Sequence, residues 1–428
     1  MDHFKATSRD TGTSDTWWRI STVFLVSAAV TSALVLCWSK RRLWELAARL
    51  PGPKPIPFLG NILTFAGCDL IQFFQLIVTL VEKHGSILKL WIGQDLFVLL
   101  SNPVAVEKIL GNKNFIRRTG LVTKVGKPFF RNGLLMSDGD TWRIHRKIIS
   151  STFHNNILDQ FVENFSKNSS ILVDQLSSKC DGKAFDVYPF ISLCTLDVIC
   201  ETAMGTTVNA QLVDDGEYVR NVLRSLQLLS ERFMRPWLTV DWIFNLTQLG
   251  KEQAATLKYL HGNVQQVVSE KMAKFHATGR QKTQVDDLQS VKRKKISLLD
   301  LLIEDEQLTP DEIHDEVVTI VAAGSETTAT TCCFVLALLG VHQDIQERVM
   351  EEQRSVFGED IHRPVTCEDL PLMPYLEQVI NPFCTGIIGI CYSWFLSGCC
   401  PWPRPRSFGI SMNSELERTA EVVGARII

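Results

Sequence analysis

Thr309-Pro310-Asp311-Glu312-Ile313-His314-Asp315-Glu316-Val317-Val318-Thr319-Ile320-Val321-Ala322-Ala323-Gly324-Ser325-Glu326-Thr327-Thr328 is the stretch on which the fold turns. Its first four residues form a capping box with proline at the first helical position, and acidic side chains crowd the positive end of the helix dipole. The pattern predicts a helix running to about Leu339, roughly 45 Å long at 1.5 Å per residue, enough to cross a whole domain. Its middle is almost uncharged and is expected to be buried. Within it, Gly324 and the threonines are poor interior helix formers, and Glu326 is a carboxylate that is costly to bury without a partner. Two readings follow. One is a tolerated kink with hydroxyls bonded back to carbonyls. The other is a groove in which Gly324 lets a flat ligand approach the backbone while Glu326 and Thr327 manage protons beside it.

Outward from that helix, 428 residues can bury a large core, as one big domain or two ordinary ones. Apolar content of 45% and charged content of 21% argue against bulk disorder. A net charge of -3 supplies no global basic field, which argues against nucleic acid as a partner. The twelve cysteines are scattered, with no CxxC pair or Cys/His cluster of zinc-like spacing. Cys332-Cys333 and Cys399-Cys400 are adjacent pairs, which seldom chelate one metal. Buried thiols in a reducing compartment are expected.

Ile20 to Trp38 is an uncharged apolar run of 19 residues, close to the roughly 20 needed to cross a bilayer. Trp17, Trp18 and Trp38 sit near its ends, and Lys40, Arg41 and Arg42 follow at once. The basic excess places the C-terminal side in the cytosol and residues 1–19 in the lumen. A cleaved signal peptide is disfavoured, because no A-x-A site precedes the basic cluster. An uncleaved anchor is expected. The sequons at Asn164, Asn168 and Asn245 test that topology, since they could carry glycans only in a lumenal body.

Leu50-Pro51-Gly52-Pro53-Lys54-Pro55-Ile56-Pro57 follows as a stiff spacer, because four prolines in seven residues forbid a helix. Ser86 to Gly93 and Leu96 to Leu100 read as strands around a Gly93-Gln94-Asp95 turn. Beyond Asn102-Pro103 the periodicity is mostly helical, broken from Thr278 to Lys295 by a polar surface loop carrying Lys292-Arg293-Lys294-Lys295. The fold class is mainly α with a small N-terminal β-sheet. No internal repeat is present.

A second constellation is Asp140-Thr141-Trp142-Arg143-Ile144-His145-Arg146-Lys147, where Trp142 and Arg146, four apart, share one helical face. The plain reading is a surface cation–π contact.

These features together resemble the cytochrome P-450 family over roughly Pro51 to Ile380. The proline run with Phe58-Leu59-Gly60-Asn61 is similar to the hinge of its microsomal members. Ala323-Gly324-Ser325-Glu326-Thr327-Thr328 is similar to its oxygen-activation motif, A/G-G-x-D/E-T-T. The resemblance implies that Thr327 hydrogen-bonds the dioxygen being activated and that Glu326 relays protons for O–O cleavage. It implies that Trp142 and Arg146 face a haem propionate, guanidinium to carboxylate. Ala323 and Gly324 are then haem-facing, and Ala323 stands where many fatty-acid-hydroxylating members carry a glutamate esterified to haem, so that bond is not expected. Asn132-Gly133-Leu134-Leu135, Thr152-Phe153-His154 and Arg235-Pro236-Trp237-Leu238 through Asp241-Trp242-Ile243-Phe244 also look like that branch. The last stretch reads equally as a bilayer-dipping substrate entrance or as ordinary core.

Further implications are a haem cofactor, an NADPH-dependent cytochrome reductase as electron donor, lipophilic substrates such as fatty acids, and a single-pass endoplasmic reticulum location. The expected organisation is a lumenal segment 1–19, an anchor 20–38, a basic and proline-rich hinge 39–61 and a C-terminally incomplete cytochrome P-450 domain 62–380. An unrelated, unstructured or aberrant tail 381–428 completes it.

The resemblance stops abruptly after Leu376-Glu377-Gln378-Val379-Ile380. Where the family supplies a helix with E-x-x-R, this chain has Pro382 and Thr385. The later F-x-x-G-x-R-x-C-x-G segment, whose cysteine thiolate is the axial ligand, has no counterpart. Phe395-Leu396-Ser397-Gly398 begins like it, but Cys399 and Cys400 follow without the arginine or final glycine. No metal ligand is therefore expected. The readings left open are an inactive oxygenase and a membrane-tethered relative that binds lipophiles or partners without turnover.

Overall fold

The computed structural model describes residues 38–57, 59–68, 70–112, 120–179, 185–213, 216–278, 296–358, 360 and 363–381, with scattered positions between 17 and 31. Of the anchor segment 20–38, only residues 20–24, 27, 31 and 38 are described, as exposed helical positions, and the rest lies outside the described residues. So do the polar loop from 279 to 295 and nearly all of the tail. The chain divides into two compact units, whose described parts are residues up to 108 and residues 109–381.

The first unit holds α1 (Arg41–Ala48), α2 (Leu70–His84) and an antiparallel pair, β1 (Ile87–Ile92) and β2 (Asp95–Leu100). Ile92 pairs with Asp95, so the turn is Gly93-Gln94 and one residue shorter than expected. Leu88 and Leu90 alternate onto one buried face with Phe65 and Leu80, as the two-residue period of a strand requires. Trp91 stacks on Trp44 at 3.9 Å between ring centroids. The end of the proline spacer is built against β1. The Asn61 N–H donates to the Trp91 carbonyl at 2.6 Å, and the Asn61 carboxamide oxygen accepts the Trp91 N–H at 2.9 Å. Gly60 sits at φ +63°, and a Cβ there would lie 2.3 Å from the Trp91 carbonyl oxygen. Only glycine permits both the left-handed backbone and that approach.

The second unit is helical: α3 (Gly120–Phe130), α4 (Gly139–Thr152), α5 (Val162–Ser177), α6 (Tyr188–Ile199), α7 (Glu217–Met234), α8 (Asp241–Leu246), α9 (Gln248–Thr278), α10 (Leu298–Asp305), α11 (Pro310–Val341) and α12 (Gln343–Phe357). A π-helical turn, Cys200–Met204, prolongs α6 and ends at Gly205 in the left-handed region. The core gathers Leu196 and Cys200 of this segment, Val268 of α9, Leu299 and Leu302 of α10, and Ile313, Val317 and Val321 of α11. Each fully buried leucine or valine contributes about 1.5–3 kcal/mol relative to exposure.

The decisive helix, α11, begins as predicted. The Thr309 hydroxyl accepts the Glu312 N–H, and the Glu312 carboxylate accepts the Thr309 N–H, completing the capping box. It ends at Val341, two residues beyond the expected point. It is buried along Ile313–Val317 and at Thr319 and Val321, but beyond that only Ser325, Ala329 and Leu338 are buried. The expectation of a buried middle therefore holds for the first half alone. In the second half one stripe packs on α6, while Ala323, Thr327 and Ala337, which share another face, are exposed among the described residues. Among the described residues, α11 is the one helix long and apolar enough to cross a membrane, and its first half is instead protein core.

Candidate active site

The motif of α11 lies within a continuous α-helix from Pro310 to Val341. The Thr327 hydroxyl donates to the Ala323 carbonyl at 2.6 Å and sits exposed, as does Ala323 one turn earlier. Here the bonded-back hydroxyl is the geometry found. Gly324 points elsewhere. A Cβ on it would meet Ile199 Cδ1 at 2.6 Å, so its missing side chain lets α6 and α11 close together. A helix approaches this backbone on that side, where the sequence led us to expect a flat ligand. Glu326 has the partner its burial demands, since the Tyr188 hydroxyl donates to Glu326 Oε1 at 2.6 Å. Burial, and then this bond, push the Tyr188 phenol well above its ordinary range, so it remains a donor.

On α4, Trp142 and Arg146 are half-buried one turn apart. The Arg146 guanidinium has no hydrogen-bond or ion-pair partner among the described residues, whereas neighbouring Arg143 pairs with Asp140 at 2.9 Å. The position between them in sequence is the surprise. His145 is 3% exposed, and its Nδ1 donates to Glu316 Oε1 at 2.7 Å while Nε2 lies 3.5 Å from Glu312. Glu316 is fully buried, and its Oε2 accepts the Leu134 N–H at 3.0 Å. The adjacent Asp315 accepts the Asn132 N–H at 3.1 Å and lies 3.6 Å from the Arg131 guanidinium. Gly133 lies flat on α11, since a Cβ would stand 2.2 Å from Thr319 Oγ1 and 2.5 Å from the Asp315 carbonyl oxygen. The Glu316 bond, against the opposing effect of burial, raises the His145 pKa above its ordinary value.

Sequence reasoning singled out Asn132-Gly133-Leu134 and the Trp142–Arg146 helix separately and missed what joins them. The signal was present as two adjacent acids in the buried half of an apolar helix, a pattern that demands partners.

The stretch 235–244 divides between its two readings. Leu238 and Phe244 are buried, with the Arg232 guanidinium over the Phe244 ring at 4.1 Å, whereas Trp242 and Leu246 are 68% and 74% exposed. Two of the sequon asparagines are buried. Asn168 is buried and its amide donates to the Asn164 carbonyl and to Glu201, and Asn164 is buried as well. Asn245 is exposed.

A porphyrin needs a cationic partner for its carboxylates, an open helical face and an iron ligand. The first two fit: Arg146 lacks a partner among the described residues, and α11 presents Ala323 and Thr327 uncovered. The third is not met by the buried thiols of this unit. Burial pushes the Cys194 and Cys200 thiols up to about 12 and the half-buried Cys333 up to about 11, which disfavours the thiolate that a haem iron takes. Cys399 and Cys400 lie outside the described residues.

A family model described as Cytochrome P450 matches residues 50–381. The chain is 35% identical over 362 residues to "Cytochrome P450 4d2" of Drosophila melanogaster, covering 81% of this chain and 72% of that one. It is 33% identical over 373 residues to "Cytochrome P450 4c3" of the same organism, covering 84% and 69%. To "Cytochrome P450 4V2" of Pongo abelii it is 34% identical over 385 residues, covering 85% and 71%. Helical body, small sheet and acid–alcohol helix are thus those of a haem monooxygenase class acting on lipophilic substrates. The chain belongs to the cytochrome P-450 family, and the three relatives named above are family 4 members. Haem is the cofactor that membership implies.

Proposed function

We propose that this chain derives from a microsomal oxygenase that inserts one dioxygen atom into fatty acids or related lipids, using electrons from an NADPH-dependent cytochrome reductase. When bound, haem supplies the oxygen-activating chemistry. The residues of this chain would hold and serve it: Arg146 and Trp142 meet a propionate, Ala323 borders the ring, Thr327 offers a hydroxyl, Glu326 moves protons, and Gly324 lets α6 pack behind. The Tyr188–Glu326 bond supports the proton-moving role, because it fixes the position of the carboxylate. Residues 20–38 anchor the protein in the endoplasmic reticulum membrane with the body in the cytosol, residues 39–61 are the hinge, and 62–380 the partial oxygenase domain. Burial of Asn164 and Asn168 is compatible with a body that never meets the glycosylation machinery.

As written, the chain lacks turnover. The observation that carries this is the end of the family match at residue 381, with neither E-x-x-R in its setting nor the cysteine segment among residues 382–428. A thiolate is needed to push electron density toward O–O cleavage. The tail 381–428 is an aberrant or alternative segment, and sequencing the transcript across that junction tests this. The decisive measurement is the reduced, carbon-monoxide-bound spectrum of the expressed chain. The expected result is no thiolate-type Soret band, and such a band refutes the reading. Haem retention without it favours the second reading, a non-catalytic binder of lipophiles or partners, which the uncovered apolar face of α11 supports.

A further inference from the structure

We propose that Glu316 and His145 are positioning residues that set Trp142 and Arg146 for a porphyrin carboxylate before any ligand arrives. This rests on the haem-facing reading of those two side chains given above.

The observation is geometric. A rigid helix has its direction, its rotation and its axial shift fixed by two constraints, one at its start and one along its length. The loop 131–138 leads into α4, and two of its N–H groups, those of Asn132 and Leu134, are held by the neighbouring carboxylates Asp315 and Glu316. Glu316 also holds His145, which lies one residue before Arg146 and three after Trp142. One fully buried carboxylate thus fixes both the start of α4 and its rotation. At 100° per residue, locking His145 toward α11 dictates where the flanking pair points. Arg146 has no ion pair of its own among the described residues to hold it, so its placement comes from the helix that carries it. Charge-assisted bonds in a water-free setting are stiff as well as strong, which suits them to preorganisation.

The test uses the full chain in detergent micelles. Hydrogen exchange is followed by mass spectrometry over residues 131–147, and ferric protoporphyrin binding by tryptophan quenching. Glu316→Leu removes both acceptors at similar volume. We expect exchange in 131–147 to quicken and porphyrin affinity to fall, each by about tenfold or more, with exchange in α5 and α9 unchanged. Glu316→Gln keeps an acceptor for the Leu134 N–H and restores part of both. Arg146→Ala weakens porphyrin binding comparably yet exchanges as the parent does. Should Glu316→Leu not fold, Glu316→Gln and His145→Gln carry the same comparison. Parent-like exchange and affinity in the Glu316 variants overturn the proposal. Quickened exchange with porphyrin affinity unaffected in both Glu316→Leu and Arg146→Ala overturns the haem-facing reading beneath it.

Discussion

Adding one methyl group at Gly133 is expected to be among the most damaging small changes in the second unit. The new Cβ would lie 2.2 Å from Thr319 Oγ1, 2.5 Å from the Asp315 carbonyl oxygen and 3.0 Å from its carbon. Two of those atoms are backbone inside α11, which cannot yield locally without breaking its own ladder. The loop must therefore retreat by about 1 Å to regain van der Waals distance. That retreat gives up the Asn132 N–H bond to Asp315 and the Leu134 N–H bond to Glu316. Bonds to charged acceptors contribute about 1.5–3 kcal/mol each, so Gly133→Ala should destabilise by about 3–6 kcal/mol. The assay is urea unfolding of the chain in micelles, followed by far-ultraviolet circular dichroism. Gly262→Ala is the control, since it lies in α9 with nothing within 4 Å of an added Cβ and should stabilise by about 0.5–1 kcal/mol. A loss below about 1 kcal/mol for Gly133→Ala would refute the loop–helix attachment.

Thr319 carries a buried hydroxyl with no partner among the described residues, so the isosteric Thr319→Val should raise stability by about 1 kcal/mol in the same assay. His145 faces Glu316 and Glu312, and its folded pKa is raised above the ordinary 6.5. Its stabilisation is complete below that value and lost as pH rises through the folded pKa; His145→Gln should flatten this part of the stability–pH curve, read from unfolding midpoints. Tyr188→Phe should leave unchanged the number of phenols ionising in the ordinary alkaline range by ultraviolet titration, because burial and Glu326 hold that proton. It should lower stability by about 1 kcal/mol.

Much was written locally. The start of α11 was legible because capping boxes and proline at the first position act within four residues. The hairpin was legible from alternation, and the turn was misjudged by one residue because register depends on the partner strand. The role of Gly324 was not legible. Whether a missing side chain admits a ligand or a helix depends on what lies opposite, and here that is Ile199, 125 positions earlier in the sequence. The same holds for Glu326, whose partner Tyr188 is 138 residues away.

By itself the sequence determined the family, the long helix with its acid–alcohol pair, and the Trp142–Arg146 face, because each is a pattern carried by neighbours along the chain. Tertiary structure alone decided that α11 is core in its first half and, among the described residues, partly exposed in its second, and that Asp315 and Glu316 grip the approach to α4. Burial and charge pairing are properties of what surrounds a residue, and residues 171 and 183 positions apart meet only once the chain has folded.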